Sequence, residues 1–97
     1  MDAGWEFDAA LWRWEGQEAA WVFLTVPEEV DDDIRLLAGP RHGFGSVRVE
    51  VTIGASTWRT SVFPDKQRGF VLPVKKDVRR REGVEIGDTV TVRLTLL

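Results

Sequence analysis

Residues 72–96 read LPVKKDVRRREGVEIGDTVTVRLTL and contain a whole unit of architecture. An apolar strand ends at Leu72-Pro73, since the residue before a proline is held extended. Pro73 is read as opening a short helix, in which Val74 and Val78 lie four apart on one inward face. Gly83 stops that helix, because glycine takes the left-handed conformation past a helix end at no steric cost. Gly87-Asp88 sets a tight turn. Residues 89–96 then alternate, with Val90, Val92, Leu94 and Leu96 inward.

The same order occurs earlier in the chain. Val26-Pro27 ends a strand, and Pro27 is placed at the first helical position. Glu28, Glu29, Asp31, Asp32 and Asp33 follow, favourable against the helix dipole. Val30, Ile34 and Leu37 share a face, the carboxylates are expected to point mostly to solvent, and Gly39-Pro40 stops the helix. Residues 46–53 alternate again, with Val47, Val49, Val51 and Ile53 inward and Arg48, Glu50 and Thr52 outward. The two alternating strands superpose at an offset of 43 residues and the two prolines at 46. This is a weak internal repeat of pattern rather than of identity. It predicts two strand–helix–strand halves related by a pseudo-two-fold axis.

The remaining segments are strands and turns. Trp5, Phe7, Ala9 and Leu11 alternate, but Trp12 and Trp14 break the parity. Either a bulge near Ala10 bends the strand, or one tryptophan pair lies outside. A turn over residues 15–18 leads to a strand over 20–26 that is apolar on both faces, so the first two strands form a hairpin. Residues 57–63 alternate after a turn at Gly54-Ala55-Ser56, residues 64–69 form a surface loop, and 70–72 form a short strand. The expected fold is mainly β: one domain over residues 1–97, a closed or partly open barrel of six to seven strands with two short helices. Closure would leave no bare strand edges.

Composition narrows the chemistry. The chain has no cysteine, which excludes disulfides, thiolate nucleophiles and cysteine-ligated metal. It holds five Trp and five Phe, enough for a core without staples. No apolar run approaches the ~18–20 residues that cross a bilayer, and no secretory pattern opens the chain, so the cytoplasm is the expected location. Net charge is −3, unevenly spread: residues 1–40 carry two basic and ten acidic side chains, and residues 41–97 carry eleven and six.

A resemblance spans nearly the whole chain. The first aromatic strand, Trp21…Pro27, Trp58-Arg59-Thr60-Ser61-Val62-Phe63-Pro64, Leu72-Pro73-Val74-Lys75-Lys76-Asp77-Val78-Arg79 and Gly83-Val84-Glu85-Ile86-Gly87-Asp88-Thr89-Val90 together carry it. In these the chain resembles a family of small bacterial domains known only as a domain of unknown function. Some of its members precede a bacteriocin-protection-type domain. The resemblance implies a compact β-barrel with two short helices and no catalytic residues. The order strand, Leu-Pro, basic helix, Gly-x-x-x-Gly-Asp, strand is also similar to the half-barrel of AbrB/MazE-type transcription factors. That second resemblance implies related geometry and does not bring DNA binding with it.

No catalytic arrangement emerges. His42 is the sole histidine, on a glycine-flanked loop with no nucleophile or orienting acid in a recognisable motif. Ser61 lacks the elbow that exposes a nucleophile, and Gly43-Phe44-Gly45 is too short to cradle phosphate. The acidic run at 28–33 lacks a calcium-loop pattern, so no metal and no cofactor are expected. Two features are suited to binding. Trp12, Trp14 and Trp58 with Arg13 and Arg59 would form an aromatic and cationic pocket for a small ligand or a protein partner. Lys75, Lys76, Arg79, Arg80 and Arg81 would make a basic helix face for nucleic acid, diluted by Asp77, Glu82 and Glu85. The expectation is a non-enzymatic binding module, with a nucleic-acid-binding, regulator-like barrel as the alternative.

Overall fold

The computed structural model describes residues 4–15, 21–38 and 45–97. His42, Pro40 and most of the turn expected at residues 15–18 lie outside them. Among the described residues seven strands and two helices follow one another: β1 (Gly4–Ala10), β2 (Trp12–Arg13), β3 (Val22–Thr25), α1 (Glu28–Leu37), β4 (Val47–Ile53), β5 (Ser56–Asp65), β6 (Gly69–Pro73), α2 (Lys76–Glu82) and β7 (Thr89–Leu96). All pairings are antiparallel, and the order across the sheet is β1-β7-β4-β5-β6-β3-β2. The two outermost strands are consecutive pieces of the chain, separated by Leu11 alone. The sheet therefore rolls up on itself as a mainly β, partly open barrel.

Two corners make the roll. At Leu11 the chain leaves β7 and joins β3. The Leu11 N–H donates to the Asp88 carbonyl (2.9 Å), and the Gly87 N–H donates to the Leu11 carbonyl (2.8 Å). Alternation runs through the corner unbroken. Trp5, Phe7 and Ala9 pack against the core and Leu11 is buried, whereas Trp12 and Trp14 stand on the outer face. Of the two expected alternatives, a bulge near Ala10 or a tryptophan pair outside, the second is the one found. The second corner lies within β5, whose first part pairs with β4 (Val47↔Val62) and whose last part pairs with β6 (Phe63↔Val71). Alternation holds through this corner: Val62, opposite Val47, and Pro64, opposite Phe70, stay on the inner face, and Phe63, opposite Val71, on the outer.

The pseudo-two-fold relation is present in the register. Exchanging β1/β2 with β5, β3 with β6 and β4 with β7 leaves every strand pairing unchanged. Val51 pairs with Leu94, which lies 43 positions on, so that pair sits on the axis of β4 and β7. Thr25 pairs with Val71, 46 positions on, and does the same for β3 and β6. Between them lies a core of Val49, Val51, Val62, Leu24, Leu72, Phe70, Val92 and Leu94, all essentially without solvent contact.

Each helix is tied to the barrel by one carboxylate over a glycine turn. Asp31 accepts the Phe70 N–H (2.6 Å) and pairs with Arg35 (2.5 Å). Glu82 accepts the Ser56 hydroxyl (2.7 Å) and the Ala55 N–H (3.3 Å). A Cβ on Gly69 would collide with the Asp31 carboxylate, and one on Gly54 with that of Glu82; both glycines have positive φ, 78° and 58°.

Several local expectations change. Asp31 is buried, not solvated. Leu37 is 60% exposed, because at about 100° per residue the buried stripe is centred between Val30 and Asp31 and is completed by Ala38. Pro27 is the cap rather than the first helical residue, and its carbonyl accepts the Asp31 N–H. Pro73 belongs to β6, since the Val74 N–H still bonds the Val22 carbonyl (2.9 Å) and delays α2 to Lys76. Gly83 caps α2 with φ 64°, as read.

Replacing Leu11 by Ala removes a buried side chain at the first corner. The loss in stability should be about 2–5 kcal/mol, read from the midpoint of urea unfolding. A change under 1 kcal/mol would show that the corner tolerates collapse.

Candidate functional site: an aromatic groove on the outer face

The outer face of β2, β3, β6 and the end of β5 carries an aromatic cluster. Trp12 is opposite Phe23 and stacks with it at 5.3 Å between ring centres. Beyond that pair the Trp14 N–H bonds the Trp21 carbonyl (2.9 Å), which continues the hairpin. Trp14 meets Phe23 edge-on at 5.6 Å, and Trp21 stacks on Phe23 at 6.3 Å. The Trp12 Nε1–H donates to the Thr25 hydroxyl (2.9 Å), so that ring is fixed in place. Rings held this way are ordered before any ligand arrives, which lowers the entropic cost of packing against the cluster.

These rings roof a cavity of about 370 Å³ lined by Trp14, Trp21, Phe23, Phe63, Val71 and Pro73, with Pro64 and Asp65 at one side. Val71 points away from the core yet is buried, because the aromatic roof covers it. Trp21 and Phe63 remain 54% and 43% exposed. At one end the Arg68 guanidinium lies over Trp12 (4.4 Å) and Trp14 (5.2 Å), a cation–π arrangement. Among the described residues that line the groove the carboxylate is Asp65, which accepts the Gln67 and Arg68 N–H groups, both at 2.9 Å. Those backbone hydrogen bonds hold its pKa below the ordinary 3.8, with the Arg68 charge helping.

A second cavity, about 480 Å³, adjoins the first and shares Trp21 and Pro73 with it. Its other walls are Val22, Val74, Lys75, Lys76 and Arg79. The Arg79 Nε–H donates to the Val74 carbonyl (3.2 Å), which anchors that side chain at the start of α2.

The residues singled out from sequence are thus divided. Trp12 and Trp14 belong to the aromatic cluster. Arg13, one residue along, faces away from it and is exposed. Trp58 is opposite Val51 on the inward side of β5 and packs against the core, so it lines no part of the groove. Arg59 pairs with Glu50 (3.4 Å) on the first half of β5. The cation at the rings is Arg68 instead, brought there by the β5–β6 turn. Of the basic helix residues, Lys75, Lys76 and Arg79 line the second cavity, and Arg80 and Arg81 project elsewhere, exposed. Phe63 and Val71 escaped sequence reasoning, because nothing local ties either of them to Trp14.

The model of a family described as a domain of unknown function, DUF1905, matches residues 7–94. The chain belongs to the DUF1905 family. The matched DUF1905 span runs from Phe7 in β1 to Leu94 in β7, and so includes both corners and both cavities. No curated protein matches the chain. Among the described residues no three His, Cys, Asp or Glu side chains gather as metal ligands, and no helix is long and apolar enough to cross a membrane.

Asp65 gives a pH test. Its lowered pKa means that its turn stabilises the fold fully above the ordinary carboxylate value of 3.8 and loses that contribution as pH falls through the lower, folded value. The melting temperature of wild type should exceed that of Asp65→Ala by a constant amount from neutral pH down to about pH 5. The gap should close in stronger acid. A gap independent of pH would mean that the charged carboxylate is not what holds the turn.

Proposed function

We propose that this domain works by binding rather than catalysis, and that its ligand lies in the aromatic groove. The observation that carries this reading is the row of oriented rings, two of them about half exposed, over an apolar floor on the outside of the barrel. Trp21 and Phe63 line one cavity, and contiguous exposed aromatic surface of this kind is characteristic of binding sites. The cationic cavity next door favours a ligand with a flat apolar body and a negative charge. The basic face of α2 as a duplex-binding helix is the weaker reading, because its cations are divided between the cavity and open solvent. The cytoplasm fits as the place of action, in keeping with a chain free of cysteine. The repeated strand–helix–strand order also supports a kinship in geometry with AbrB/MazE-type half-barrels.

Anilinonaphthalene sulfonate, a flat apolar anion, is a suitable probe. Titration followed by dye emission should show saturable binding that Phe63→Ala and Trp21→Ala each weaken by about 2- to 12-fold, the worth of one aromatic contact. Trp5→Phe, on the other side of the barrel, should leave binding unchanged. Equal affinity in all four proteins would rule out the groove as the site.

A further inference from the structure

We infer that the occupant of the groove is single-stranded nucleic acid, an inference that rests on the groove reading above. Three placements carry it. First, the ring faces and the cations follow one another along β6 rather than surrounding one point. Arg68 precedes Gly69 at the start of the strand, Val71 floors the apolar cavity at its middle, and Pro73 leads to Lys75 and Lys76 at its end. At ~3.3 Å per extended residue, Arg68 and Lys75 stand roughly 20 Å apart. One small anion cannot reach both, whereas a chain with regularly spaced charges can.

Second, Trp21 is the shared wall of the apolar and cationic cavities. A base lying on its exposed indole would have its phosphate on the side of Lys75, Lys76 and Arg79. Aromatic platforms beside a positive track are how strands are held without sequence readout. Third, the carboxylate found at the groove among the described residues is already paired, and against it stand Arg68, Lys75, Lys76 and Arg79, so the track stays net positive. Asp65 is already engaged by two N–H groups and stands 3.7 Å from Arg68. Beyond Arg68 the track stops, since Glu28 and Asp31 line the next cavity. Duplex hides its base faces in its own stack, so it would meet the cations and leave the rings uncovered. An acidic peptide brings charges without a flat face at each step.

The test is a fluorescence anisotropy titration of a labelled thymidine oligonucleotide of about ten nucleotides, with a duplex of equal length alongside, at several salt concentrations. Wild type should bind the single strand more tightly than the duplex. The slope of log K against log salt should be about −2 to −3, as three or four phosphate contacts require. Trp21→Ala should lose about 5- to 150-fold, the worth of one base stack. Lys75→Glu with Lys76→Glu should lose binding more severely than Arg80→Glu with Arg81→Glu, whose side chains lie outside the cavity. Circular dichroism of each variant checks that it is folded. Absence of single-strand binding up to about 100 μM protein with dye binding intact would overturn this inference and leave the groove reading standing. Loss of both would overturn both. Equal affinity for duplex, an equal effect of the Arg80 and Arg81 reversals, or tighter binding of an acidic peptide would each overturn it as well.

Discussion

The two hydrogen bonds at Leu11 hold the architecture together. A rolled antiparallel sheet must bring its first and last strands into register or leave two bare edges. Here one strand serves both ends, paired with β7 up to Ala10 and with β3 from Trp12. The transfer needs a residue whose N–H and carbonyl bond the β7 approach while its side chain enters the core, and Leu11 does both. Alternation continues through the corner, so Trp12 and Trp14, at even positions, stand outside. Without the corner, Trp12 and Trp14 would have no Phe23 to pack on, and Arg68 would have no ring faces beneath it.

The second half of the chain answers the first in the same manner. β5 passes between β4 and β6 as β1 and β2 pass between β7 and β3, so the sheet turns two corners related by the pseudo-two-fold axis. The helices are not equivalent in composition, one acidic and one basic, yet each fixes a flanking turn of β5 through a buried or half-buried carboxylate. Asp31 holds the turn at Gly69 and Glu82 the turn at Gly54. The opposite charges of the two halves thereby become opposite ends of one surface. The cations of α2 adjoin the aromatic groove, and the carboxylates of α1 close its far end.

Much of this was legible in the residues because it is local. Alternation at 47–53 and 89–96, a tryptophan pair on the outer face after Leu11, and Gly83 as a helix stop all follow from backbone periodicity and from glycine's freedom. The repeat offsets reappear as the register of Val51 with Leu94 and Thr25 with Val71. What escaped depends on contacts between distant segments. Asp31 looked like one more solvated carboxylate in an acidic run, and only the Phe70 N–H, 39 residues on, gives it a reason to be buried. Trp58 looked like a groove residue because it neighbours Arg59. Its face is set by pairing with Val51, which no single segment reveals.

The corner at Leu11 is tested most directly by amide hydrogen exchange under native conditions. The Leu11 and Gly87 amides should exchange only through global unfolding, as slowly as those of Val51 and Leu94 at the centre of the sheet. Exchange of Leu11 and Gly87 at the rate of exposed turn amides would mean that the first strand does not join the two ends of the sheet, and the account would fail at its base.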